Sequence, residues 1–189
     1  MKYQIKYTPI YQLPYCCVPA TLQWILYRHG LNILDQETIG AELGLQLPLK
    51  GQKLFTNPAI IFTDEKPERG YGTQIHLPQY SIQKFFQNRT IPLQISELYN
   101  FNSIKDWSDF IVANLQNDHD LILRFHTGIF GEEKSNGHLG VIAAYDDNNQ
   151  MITIGDPEMP FFREIPLEKL MLGMSNQFDG IERGVYVVK

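Results

Sequence analysis

Apolar residues recur at three- and four-residue intervals in four segments of residues 1–118, which is the spacing of an amphipathic helix. Asp35, Ser81 and Ser103 precede three of these segments as N-cap residues, and Gly30 follows the first one. The predicted helices are 17–29, 36–43, 82–88 and 104–116. Residues 45–80 are rich in proline and glycine and are predicted to form a long loop.

The pattern changes after residue 119, where apolar residues alternate with polar ones or form short runs, as they do in strands. The sequence DDNN at 146–149 predicts a tight turn that joins two of these strands as a hairpin. Weaker strand patterns occur at 3–7 and 91–98, and a short helix is predicted over 166–172. The predicted strands of this half are 120–125, 138–145, 150–156, 161–165 and 184–188.

Helices followed by strands, rather than an alternation of the two, predict an α+β fold. We expect one domain over 1–189, in which a helical part (1–118) packs on a C-terminal antiparallel sheet (119–189). A chain of 189 residues, of which 43% are apolar, is long enough to bury its own core. Its two cysteines are adjacent in sequence, which excludes a disulfide framework.

Charge and composition narrow the classes of function. The net charge of −5 argues against a general nucleic-acid-binding protein, because such proteins carry a basic surface. No run of eighteen apolar residues is present, so we expect no membrane span. The N-terminal residues lack the apolar core of a signal peptide, which predicts a cytoplasmic protein and leaves signal-independent secretion open. The cysteines and histidines lack the spacing of a zinc site, and we expect neither metal nor cofactor.

Cys17 is the first candidate for chemistry, because it lies at the N-terminus of the first predicted helix. The positive end of the helix macrodipole favours the thiolate, which is the reactive form of cysteine. Taken alone, the residue also fits a small buried apolar side chain. Its neighbour Cys16 is a bystander, a redox partner or a rival nucleophile.

His138 and Asp156 lie at the far ends of the two strands that the DDNN turn joins. If Tyr145 pairs with Gln150, His138 faces Pro157, whereas one bulge would place it opposite Asp156. Either register brings the carboxylate close enough to orient the imidazole. The alternative interpretation of Asp156 is that it only starts an Asp-Pro turn.

Three further residues are candidates for the surroundings of the thiol. Gln12 precedes Cys17 by five positions, and its amide is a candidate oxyanion donor beside the Cys17 backbone N–H. Gly72, in the long loop, and Gly137, in the glycine-flanked segment GEEKSNG before His138, are candidate substrate contacts.

Together these segments resemble the papain-like cysteine peptidases of the bacteriocin-processing (double-glycine leader peptidase-like) group. QLPYCCVPATLQWILYRHG is similar to their nucleophile segment, and GHLGVIAAYDDNNQMITIGDP is similar to their His–strand–turn–strand–Asp-Pro segment. The helix near 103–116, the strand DLILRF and the closing strand GVYVV also match in order, while 45–100 matches weakly.

The resemblance implies a stand-alone papain-like domain with Cys17 as nucleophile, His138 as general base and acid, Asp156 as orienting residue and Gln12 as oxyanion donor. The motif Cys-x-Pro-Ala of the group aligns with Cys17 rather than Cys16. The chain departs from the group at Val18, where glycine is usual, and in the spacing of Gln12 and Cys17, which is one residue shorter than usual.

The expected function is a thiol-dependent hydrolase that cleaves a peptide or isopeptide bond of a peptide or protein substrate through a thioester. One alternative is a thiol acyltransferase or transglutaminase-like enzyme, which uses the same triad and passes the acyl group to an amine. The other alternative is a catalytically idle papain-like binding module, which the departures at Val18 and Gln12 motivate.

Overall fold

The computed structural model of the chain describes residues 1–131, 137–159, 161–175 and 181–189. These residues form two compact units, which do not coincide with the two halves of the sequence pattern. The first unit joins Met1–Pro9 to Ile95–Lys189, and the second unit is Ile10–Gln94. The segment ahead of Cys17, which we call the N-terminal arm, therefore belongs to the first unit up to Pro9 and to the second unit from Ile10 onwards.

The first unit is built on a six-stranded antiparallel sheet in the order β7–β6–β5–β4–β8, with β1 paired to the second half of β5. Helices α4 and α5 both pack against β4. The apolar side of α4 is buried through Trp107, Ile111 and Leu115. The elements of this unit are β1 (Lys2–Gln4), α4 (Ile104–Gln116), β4 (Asp120–His126), β5 (Gly137–Asp146), β6 (Met151–Gly155), β7 (Phe162–Pro166), α5 (Leu167–Met174) and β8 (Gly184–Val188).

Strand β5 is the centre of this sheet, because it pairs with three other strands. Its first half pairs with β4, and its register with β6 shifts at a bulge between Ile142 and Ala144. A side chain at Gly140 has no room, because a Cβ there would lie 2.3 Å from the Gly155 carbonyl oxygen. The end of β6 thus approaches β5 more closely than any residue other than glycine allows.

The second unit combines three helices with a two-stranded parallel sheet. Every residue of α1 from Val18 to Leu26 is buried, which is typical of a helix in the interior of a fold. Asp35 and Ser81 cap α2 and α3, as their N-cap positions predict. The elements are α1 (Cys17–Arg28), α2 (Gln36–Glu42), β2 (Gln46–Pro48), β3 (Ile61–Thr63) and α3 (Ile82–Asn88).

The α+β class is confirmed, and most predicted helices and strands are present within one to three residues of their predicted ends. Two expectations are wrong. Residues 91–98 form no strand, because the chain there makes only isolated bridges with β8, at Ile95 and at Tyr99 just beyond. The stretch 45–80 is not all loop, since it contains β2, β3 and two short 3-10 helices, Leu49–Leu54 and Pro78–Tyr80. Its strands are three residues long, too short to show a period of two.

Within the described residues, no helix has the length and the apolar character that crossing a bilayer requires.

Replacing Gly140 with alanine is expected to destabilise the first unit by about 1–3 kcal/mol, because the new Cβ meets backbone rather than a movable side chain. The measurement is urea unfolding followed by tryptophan fluorescence. Gly51→Ala is the matched control, since a Cβ at that position meets nothing within 4 Å. Equal midpoints for the two variants would contradict the close approach of β5 and β6.

Candidate active site

Cys17 is the first residue of α1, in the second unit, and its side chain is half-buried. The side chain of the N-cap residue, Cys16, makes no capping hydrogen bond to this helix, whose first intrahelical bond runs from the Ala20 N–H to the Cys16 carbonyl. The backbone N–H groups of the first turn therefore keep their positive potential at the helix end. This environment favours negative charge, both on the Cys17 sulfur and on an oxygen beside the Cys17 N–H.

A strained turn directly precedes this helix. The Cys16 N–H donates to the Leu13 carbonyl at 2.9 Å, which closes a turn with Pro14 and Tyr15 at its central positions. Tyr15 has φ = 64°, a left-handed conformation that is uncommon for residues other than glycine. Strain of this kind persists where the surrounding structure enforces it, and it is concentrated at functional sites.

Cys16 has the opposite environment to Cys17. It is fully buried in an apolar cluster with Leu45, Leu47, Phe55 and Ile60. Burial, with a smaller effect from the nearby Cys17 and Glu37, raises the pKa of the Cys16 thiol to about 12. At neutral pH this thiol stays protonated and therefore unreactive.

The arm that carries Gln12 is fixed on both sides of that residue. The Trp24 indole N–H donates to the Ile10 carbonyl at 2.9 Å. The Gln36 amide donates to the Tyr11 carbonyl at 2.8 Å and accepts from the Leu13 N–H at 2.7 Å. The side-chain oxygen of Gln12 is buried and has no hydrogen-bond partner among the described residues. Rotation of this amide by 180° brings its N–H donors to the same buried position.

Gly72 lies beside the strained turn. Its φ is 124°, and a Cβ on it would lie 3.9 Å from the Tyr15 carbonyl oxygen. Paired backbone bonds with Gln46 hold it in place, and the neighbouring Tyr71 ring meets the Tyr15 ring edge to face. The structure thus brings the predicted contact residue Gly72 next to the turn that precedes the cysteines.

A buried carboxylate in the first unit is the hydrogen-bond partner of the histidine. The side chains of His138 and Asp156 are 8% and 2% exposed, and His138 Nε2 lies 2.7 Å from Asp156 Oδ1. An ionised carboxylate only accepts, so the ring donates from Nε2–H and its other nitrogen, Nδ1, is the acceptor of the neutral ring. Asp156 Oδ1 also accepts from the Glu158 N–H at 2.8 Å, so this carboxylate takes part in an Asp-Pro turn as well as in the bond to His138.

Neither of the two predicted registers is correct. The bulge between Ile142 and Ala144 shifts the pairing, so that Val141 faces Gly155. Continuing that register places Asp156 opposite Gly140, two residues along β5 from His138. Residues two apart lie on the same face of a strand, so the pair forms diagonally, past Gly140.

Aromatic rings and one arginine enclose this pair. The buried Phe125 ring faces the His138 ring edge-on, with centroids 5.5 Å apart, and contacts Phe130 in the same manner. Arg163 Nε lies 3.8 Å from Asp156 Oδ2, and the Arg163 guanidinium lies over the Phe130 ring at 4.3 Å. These groups fix the carboxylate and limit the rotation of the imidazole.

Gly137, the other predicted substrate contact, is the exposed first residue of β5 and pairs with His126. The rest of the predicted mobile segment before His138 lies outside the described residues, since only Gly131 and Gly137 of 131–137 are described. In the described part of the chain, no group of three or more His, Cys, Asp or Glu side chains is arranged to hold a metal ion.

Sequence reasoning missed Gln36, Gln23 and Arg163. Glutamines are common on helix surfaces, and neither Gln23 nor Gln36 belongs to a motif that marks it. Arg163 follows two phenylalanines in a short strand, and its approach to Asp156 depends on the β6–β7 register. The one relevant signal in the sequence is that this strand directly follows the Asp-Pro turn, which places it close to Asp156.

The chain is similar to known proteins in its sequence and in its fold. The model of the Peptidase_C39-like family matches residues 4–169. One similar solved structure is a double glycine motif protease from an AMS/PCAT transporter in complex with the leader peptide. It is 13% identical and has a TM-score of 0.53, over 98% of this chain and 91% of that chain. No curated protein matches the chain significantly.

The solved structure, at that identity, is evidence for the fold alone, and it confirms the papain-like α+β architecture. The family match is evidence from the sequence itself, because it spans most of the chain and includes the segments of both Cys17 and His138. The resemblance drawn from those segments is confirmed. The chain belongs to the Peptidase_C39-like family and is a cysteine peptidase.

Proposed function

We propose that the protein hydrolyses peptide bonds through a thioester on Cys17, with His138 as general base and acid and Asp156 as its orienting partner. The observation that carries this proposal is the buried hydrogen bond from His138 to Asp156. A buried histidine held at one nitrogen by a carboxylate is the arrangement that activates a thiol or hydroxyl nucleophile. The substrate class is supported by the similar protease, which holds a leader peptide.

The first step is transfer of the Cys17 proton to Nδ1 of His138. Asp156 engages Nε2, so Nδ1 is the nitrogen that exchanges the proton. The product is a thiolate and an imidazolium. The helix N-terminus stabilises the thiolate, and the Asp156 carboxylate stabilises the imidazolium.

The thiolate then attacks the carbonyl carbon of the scissile bond. The S–C bond forms, and the carbonyl electrons move onto the oxygen, which accepts from the Cys17 N–H and the Gln12 amide. Collapse of this intermediate breaks the C–N bond, and the imidazolium protonates the departing amine. Water, deprotonated by His138, then attacks the thioester and restores the thiol as the acid product leaves.

The environments of the two cysteines support Cys17 as the nucleophile. A protonated, fully buried Cys16 has neither the charge nor the access that attack requires. Cys17 lies at the start of a twelve-residue helix and is half-buried.

Alkylation by iodoacetamide at pH 7 is expected to modify Cys17 and to leave Cys16 unmodified, as identified by mass spectrometry of the digested chain. The pKa of about 12 predicts that Cys16 reacts only in strong alkali or after unfolding. The raised pKa also predicts a loss of stability as the pH rises from about 9 towards 12, because the unfolded chain releases this proton earlier. Labelling of Cys16 in the folded chain at pH 7 would overturn the choice of nucleophile.

Hydrolysis of a fluorogenic Gly-Gly peptide amide and of 4-nitrophenyl acetate tests the triad. Cys17→Ala and His138→Asn are expected to abolish the enzymatic rate. Asp156→Asn is expected to lower kcat by a factor on the order of 10–10⁴, since the amide no longer stabilises the imidazolium. Cys16→Ala is the control and keeps its activity. Hydrolysis that survives Cys17→Ala and disappears in Cys16→Ala would refute the mechanism.

A further inference from the structure

We infer that Gln36 is a positioning residue for the oxyanion donor, acting through the backbone on both sides of Gln12. The inference rests on the proposed function, because it assigns a role to Gln12 in that mechanism. Gln36 binds the carbonyl of Tyr11 and the N–H of Leu13 with its one amide. These two groups bracket Gln12, so the two peptide planes that set its backbone conformation are both fixed.

The Gln36 amide binds the arm in the way that the backbone of a neighbouring strand would. In an extended chain, the carbonyl of one residue and the N–H of the residue two further on point to the same side. Gln36 satisfies both at 2.8 and 2.7 Å, so the arm gains one sheet-like pairing without a neighbouring strand. The arm has no regular secondary structure of its own at these positions.

Gln36 is itself fixed by its surroundings. It is the first residue of α2, directly after the N-cap Asp35, whose side chain accepts from the Thr38 N–H. Its Nε2 also donates to Gln23 Oε1 at 3.0 Å, and Gln23 Nε2 donates to the Leu34 carbonyl at 2.7 Å. Every bond of this network is between described groups of the second unit.

The network connects the arm to the helix of the nucleophile. Gln23 and Trp24 are consecutive residues of α1, whose first residue is Cys17. Trp24 reaches the arm directly at Ile10, and Gln23 reaches it through Gln36. The position of Gln12 relative to the start of α1 is therefore set by two independent connections from one helix turn.

Burial gives this connection its rigidity. Gln23 and Gln36 are each 7% exposed, so water has little access to replace the bonds that a substitution removes. A fully satisfied buried amide network fixes one arrangement, whereas a partly satisfied one costs stability. Loss of the Gln36 amide leaves the Tyr11 carbonyl and the Leu13 N–H without this partner, and the arm is expected to move.

The test compares two reactions of the Cys17 thiol that differ in their need for an oxyanion site. Acylation by 4-nitrophenyl acetate passes through a tetrahedral oxyanion, forming the S–C bond and releasing 4-nitrophenolate. Alkylation by iodoacetamide displaces iodide and forms no oxyanion. Gln36→Met keeps the length of the side chain and removes both arm bonds. It is expected to lower the acylation rate about tenfold while alkylation stays within about twofold.

Two further variants separate positioning from general loss of stability. In a Gln12→Ala background, Gln36→Met is expected to lower acylation by less than about twofold, because its effect passes through Gln12. Gln23→Met removes an equally buried amide that makes no bond to the arm, and it is expected to lower acylation less than Gln36→Met does. Circular dichroism melts show whether each variant is folded at the assay temperature.

The outcomes distinguish this inference from the proposed function. If mass spectrometry finds no acyl group on Cys17 in the unaltered chain, the proposed function fails. If Cys17 is acylated and Gln36→Met reacts at the unaltered rate, or loses acylation and alkylation equally, only the role of Gln36 is refuted. A full tenfold loss that persists in the Gln12→Ala background refutes it in the same way.

Discussion

The buried hydrogen bond between His138 and Asp156 is the constraint on which the pairing of the strands in the first unit depends. Burying a carboxylate that is 2% exposed costs several kcal/mol unless hydrogen bonds and opposite charge replace the lost water. The structure supplies the His138 ring, the Glu158 N–H and the Arg163 guanidinium. Each comes from a different part of the sheet or its turns, so the carboxylate is satisfied only when β5, β6 and β7 are all correctly paired.

One glycine, Gly140, and one bulge make that pairing possible. The diagonal approach of Asp156 to His138 passes over Gly140, where a Cβ would collide with the Gly155 carbonyl. The bulge between Ile142 and Ala144 sets the register that places Gly140 there. A bulge adds a residue to one strand and changes the face on which later residues lie. The chemistry at one end of the hairpin thus depends on an irregularity in its middle.

The elements of the fold follow from the sequence more directly than their pairing does. N-cap residues such as Ser103 and a hydrophobic period of 3.6 or 2 are local signals, and the helices and strands that they predict are present. The position of the bulge has no comparable signal, because Val141–Tyr145 is a uniform apolar run. The pairing of His138 with Asp156 was predictable from the hairpin, while its diagonal geometry and the contact of Arg163 were not.

The proposed mechanism requires the second unit to favour negative charge on one thiol and to prevent it on the next. Adjacent residues at a helix start point about 100° apart, so one side chain enters the apolar cluster while the other stays at the helix end. Burial in the core keeps the Cys16 thiol neutral, and Cys17 remains in the positive potential of the helix N-terminus. The difference between the two thiols is thus produced by helix geometry.

The glutamines around the arm are uncharged. Gln12, Gln23 and Gln36 are neutral amides, and each bond of their network that the structure shows joins an amide to an amide or to the backbone. A fixed cation near the thiol would stabilise the thiolate in the resting state as well as the oxyanion in the transition state, and such equal stabilisation does not accelerate the reaction. An amide held by its neighbours offers a dipole that is aimed at one point. In the mechanism that we propose, the contribution of Gln12 is therefore selective for the transition state to the extent that the arm is rigid, and the buried glutamine network would serve the chemistry as well as the fold.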